Sequence, residues 1–143
     1  MAPPPPKSLS ERVKLATHIF VGTAKEMQVI DKDGKLVNQE QEPKVLGQRG
    51  HGAWLIVEVN EVLCPQGWNP TSNLVVQVPG GFFSTGDYRT NHVGVKLVYL
   101  TVTDGKTYKA SYGWDLSESL GKKAEIESLI REVTKEAKEV NRK

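Results

Sequence analysis

The stretch VPGGFFSTGDYRTNHVG, Val78 to Gly94, places Ser84, Asp87, Arg89 and His92 within a few residues of one another, beside Phe82, Phe83 and Tyr88. Ser84, Asp87 and His92 are the residue types of a hydrolytic triad, a nucleophile, an orienting carboxylate and a base. Their context argues against that chemistry. Ser84 lacks the G-x-S-x-G turn that exposes a nucleophile, because Gly81 precedes it by three residues rather than two. Gly81 and Gly86 have the spacing of a phosphate loop, but Asp87 and Tyr88 stand where that loop needs Lys and Ser or Thr, and Asp87 would repel a phosphate. The histidines His18, His51 and His92 show no metal-ligand spacing, so no metal and no cofactor are expected. Cys64 is the sole cysteine and has no base beside it; it reads as a small apolar residue at a strand end. No catalytic residue is assigned, and a hydrolase is the weakest of the functional readings.

Binding suits the same stretch better. Phe82, Phe83, Tyr88 and Arg89, with His92, put aromatic faces and a planar cation on one connection. Such side chains bury much area at little rotamer cost. The competing reading is that the phenylalanines fold back and close the mouth of a barrel while the glycines supply turns. A second polar loop, Asn38–Gly52, is expected nearby and would make a two-loop recognition surface.

These residues must be held by a scaffold. Ser8 and Glu11 match a capping box, which predicts a short helix from about Leu9 to Ala16 that plugs one end of the core. Thr17–Ile30 is rich in β-branched residues and reads as a long strand, with Gly22 marking a bend or bulge. Ala53–Leu63 alternates most clearly, with Leu55, Val57 and Val59 on one face and Trp54 and Ile56 on the other. Leu74–Pro79, Val93–Thr103 and Thr107–Tyr112 supply three more strands, the last two joined by a tight Asp-Gly turn. From about Ser119 to Val140, Ile126, Leu129, Ile130, Val133, Ala137 and Val140 recur at helical spacing. This predicts an amphipathic helix whose stripe packs on the protein's own sheet; the alternative is a homodimer or partner interface.

The expected fold class is therefore mainly β: a five-stranded OB-like barrel with a short N-terminal helix and a C-terminal amphipathic helix. Residues 1–7 read as an extended proline-rich tail and residues 8–143 as one domain. A formal net charge of +2 is too small to predict a nucleic-acid partner, and no apolar run is long enough to span a bilayer. The expected partner is another protein or a small ligand. A small residue followed by prolines, as in Ala2–Pro6, is what often remains after a signal peptide is removed. This favours a periplasmic or secreted location, with a cytoplasmic chain as the alternative.

Three segments carry a resemblance: ERVKLATHIFVGTAKEMQV (Glu11–Val29), WLIVEVNEVLCPQGW (Trp54–Trp68) and VVQVPGG (Val75–Gly81). Together they resemble exported bacterial OB-like proteins of unclear role and, more distantly, netrin-like modules, which include tissue inhibitors of metalloproteinases. His18 stands where that pattern has an acidic residue, and Cys64-Pro65-Gln66 replaces the lysine before Gly67. Those inhibitors present an N-terminal cysteine to the protease zinc, and none lies near the start of this chain. The resemblance implies the barrel and an export route. It leaves a non-catalytic binding module as the leading expectation, with an oligonucleotide-binding domain and a protease-inhibitor-like module as alternatives.

Overall fold

The computed structural model describes residues 7–113 and 115–141, with side chains as far as 136. The proline-rich residues 1–6, and Ala137 and Val140 of the apolar stripe, lie outside the described side chains. Helix α1 spans Leu9–Leu15; Ser8 caps it, its hydroxyl accepting from the Glu11 amide at 3.2 Å. The Glu11 carboxylate is held below its usual range by bonds from the Lys7 and Ser8 side chains and from the Ser8 backbone, which completes the capping box.

The strands are β1 (His18–Ile30), β2 (Val45–Leu46), β3 (Gly52–Cys64), β4 (Leu74–Gln77), β5 (Phe83–Ser84), β6 (Lys96–Thr103), β7 (Tyr108–Ala110) and β8 (Ser117–Ser119). Helix α2 is Thr85–His92 and helix α3 is Lys123–Asn141. The main sheet runs β1-β3-β4-β7-β6-β8, and β1 also pairs with β6. Five strands thus close into a barrel, antiparallel except for the parallel contact of Val76 with Tyr108 between β4 and β7. This is the five-stranded OB-like barrel that the alternation predicts.

Strand β8 is an addition to that expectation. β7 pairs antiparallel with β6 at Thr101–Thr103 and β8 pairs antiparallel with it at Leu97–Tyr99, so the two follow one another along β6. Leu116, just before β8, is buried in the barrel. Gly22 sits at a register shift of β1, where a Cβ would lie 2.6 Å from Val57 Cγ1; the bulge needs glycine because β3 passes so close.

Alternation then sorts side chains into two cores. Phe20, Leu55, Val57, Val76 and Tyr99 fill the barrel, with Phe20 stacked on Tyr99 at 5.4 Å. Ile19, Val21, Val98 and Leu100 face outward from β1 and β6 and are covered by Val13 of α1 and Ile126 of α3. Leu129, Ile130 and Val133 continue that cover, so the described part of the α3 stripe packs on the protein's own wall. Helix α1 is therefore a piece of outer cladding and not the expected plug. It is fastened by Arg12, only 4% exposed, whose guanidinium bonds the Glu118 carboxylate and, at 3.0 Å, the Asp115 carbonyl.

Candidate interaction surface

The end of the barrel is closed by α2, which lies in the stretch expected to be loop. Ser84 caps it, accepting from the Asp87 amide at 3.4 Å. The Ser-x-x-Asp spacing of residues 84 and 87 is itself a helix-start signal, and it could have located α2 from sequence. Two residue types that suggest a catalytic triad are thus an N-cap and a first-turn carboxylate, which suits the helix dipole. His92 sits at the other end of the eight-residue helix, about 12 Å along its axis. Ser84, Asp87 and His92 do not converge.

Tyr88 points inward and is buried in the barrel core. His92 stacks on it at 4.0 Å with the planes 11° apart, and His92 Nδ1 lies 2.9 Å from the Tyr88 carbonyl. Burial pulls the His92 imidazole below its usual pKa and pushes the Tyr88 phenol well above its own. Phe83 is half-buried against the same core, 5.2 Å from the Tyr88 ring. Arg89 is committed within the protein: its two terminal nitrogens donate to the Glu42 carboxylate at 2.8 and 2.7 Å.

Phe82 is different. It is 76% exposed, the most exposed of the large apolar side chains described. The five expected binding residues therefore divide. Phe83, Tyr88, Arg89 and His92 build the barrel end, and Phe82 is presented by it.

The two loops expected to lie together are joined. Val45 pairs with Ser84 and Leu46 with Phe83, so β2 and β5 form a two-stranded sheet of their own. Thr85 reinforces the seam: its hydroxyl donates to the Pro43 carbonyl at 2.6 Å and its amide to the Lys44 carbonyl at 2.9 Å. The Arg89–Glu42 pair clamps the start of the same loop. Glu42, Gly47 and Thr85 build this seam without any chemical signature that would single them out in the sequence.

Beneath Phe82 the two backbones nearly touch. A Cβ on Gly47, whose φ is +93°, would lie 2.5 Å from the Gly81 carbonyl oxygen and 3.3 Å from the Phe82 ring. Arg49 adopts a left-handed φ of 54°, an unusual conformation for a residue with a side chain. Gln41, Pro43, Gln48, Arg49 and His51 surround a hollow of about 650 Å³ with Phe82 at its edge.

Comparison with known proteins finds no matching family model, no matching curated protein and no matching solved structure. The reading of the surface therefore rests on its own geometry. Its chemistry is a single large aromatic face, a hollow lined with amide side chains, and Arg49, which forms no ion pair with any described residue. Among the described residues no three His, Cys, Asp or Glu side chains gather to hold a metal ion, and no helix is long and apolar enough to cross a membrane.

The far end of the barrel, where β1 begins and β3 finishes, is closed by Trp68. His18 meets it edge-on at 4.6 Å, and Tyr108 lies 5.5 Å from His18. Burial lowers the His18 pKa as well. These rings make a lid of packed side chains.

Proposed function

We propose that this chain is a non-catalytic interaction module that binds a partner protein through the two-loop end of the barrel, with Phe82 as the anchor. The observation that carries this reading is the exposure of Phe82 on a seam of paired backbone. A phenylalanine on a slack loop can fold back, whereas here the adjacent Phe83 is held by the Leu46 pairing and the Gly47–Gly81 approach fills the space beneath. A preorganised apolar anchor orders little on binding and so loses little of its burial energy. Arg49 and the amides of Gln41 and Gln48 supply the polar rim that surrounds such anchors.

Burying the Phe82 side chain contributes about 1.5–3 kcal/mol, so Phe82→Ser is expected to weaken the complex by roughly 10- to 100-fold. The test immobilises the wild type and the Phe82→Ser variant and compares the proteins each retains from an extract of the source cells. A protein retained by the first and lost by the second supports the reading; an unchanged set overturns it. Single-stranded DNA retained at low salt through Phe82 would transfer the surface to nucleic acid.

A further inference from the structure

A second concavity lies on the opposite side of the fold, between α3 and the end of β3. It encloses about 820 Å³, within the size range of small-ligand sites. Leu63, Cys64 and Ile130 line its apolar side, and all three are partly buried against the outer core. Arg131 and Lys135 stand on its rim, four residues apart on α3. No carboxylate lines it, and neither cation forms an ion pair with any described residue.

Two cations at i and i+4 on a helix repel each other, and a single anion between them removes that repulsion. Four residues of helix rise about 6 Å, a separation that two long cationic side chains converging on one carboxylate head can bridge. The apolar side then offers a place for a hydrocarbon tail. We propose that this groove binds a single-chain amphiphile with a carboxylate head, the head held between Arg131 and Lys135 and the tail laid along Leu63, Cys64 and Ile130. The site is separate from the Phe82 surface and does not depend on it.

Cys64 makes the test specific, because it is the only thiol in the chain and it lines the groove. The full chain is titrated with myristate below its micellar concentration while labelling of Cys64 by a neutral maleimide is followed. The expected result is a saturable slowing of labelling at one equivalent. In Arg131→Gln/Lys135→Gln the affinity is expected to fall about tenfold or more. Both changes are at exposed positions, and Phe82→Ser serves as a folded control with unchanged myristate binding. Non-saturating slowing, equal affinity in the double variant, or equal protection by the uncharged alcohol of the same length overturns the proposal. So does protection by an acidic peptide with none by myristate.

Discussion

Replacing Gly47 by alanine tests whether the seam beneath Phe82 is as close as its geometry requires. Gly34 is the control. Both glycines have positive φ, +93° and +83°, but a Cβ at Gly34 meets nothing within 4 Å. A left-handed alanine costs about 1–2 kcal/mol, less roughly 0.4–1 kcal/mol because alanine also restricts the unfolded chain. Gly34→Ala is therefore expected to cost about 1 kcal/mol. At Gly47 the new methyl also lies 2.5 Å from a backbone carbonyl oxygen, which no side-chain rotation can relieve. Either Gly81 moves by close to 1 Å or the β2–β5 pairing opens, and overpacking of this kind adds about 1–3 kcal/mol. The total for Gly47→Ala is about 2–4 kcal/mol. Urea denaturation gives the global part. Exchange of the Thr85 amide, which bonds to the Lys44 carbonyl, gives the local part. If only the seam opens, the urea midpoint moves little while Thr85 exchanges roughly 10- to 100-fold faster. Equal effects of the two alanines on both measurements would refute the close approach, and with it the rigidity assigned to Phe82.

The neighbouring phenylalanines are expected to separate cleanly: Phe82→Ala leaves the denaturation midpoint within about 0.5 kcal/mol of wild type, whereas Phe83→Ala costs about 2 kcal/mol or more from lost packing. Equal losses would return Phe82 to the core. Arg12→Met is expected to cost about 2–3 kcal/mol, because it strands the Glu118 carboxylate and the Asp115 carbonyl; Glu118→Met on that background recovers part of the loss. A single variant as stable as wild type would show that the clamp holds nothing. Burial lowers the pKa values of both His92 and His18, so as pH falls the unfolded chain takes up protons first. Their contribution to stability is complete above the unfolded imidazole pKa of about 6.5 and declines as pH drops through it towards the folded values. Urea midpoints at about pH 7.5 and about pH 5.5 are expected to differ less in His92→Asn than in wild type, and an unchanged difference would contradict the burial of that ring.

What the sequence determined by itself was whatever a local period can encode. β1 announces itself through β-branched residues, β3 through alternation, α3 through three- and four-residue spacing, and α1 through Ser8 and Glu11, because each pattern is written within one element. Those patterns sufficed for the barrel class.

Tertiary structure decided the rest. TGDYRTNH contains a glycine and weak helix formers, and α2 survives because Thr85 and Arg89 bond the opposite loop and Tyr88 fills the barrel end. Ser117–Ser119 has no strand signature of its own and is a strand because β6 stands beside it. The fate of the five candidate residues followed the same rule. Composition brought Phe82, Phe83, Tyr88, Arg89 and His92 to notice, but whether each faces the core, a carboxylate or solvent depends on Leu46, Glu42 and Gly47, contacts that only the folded chain creates.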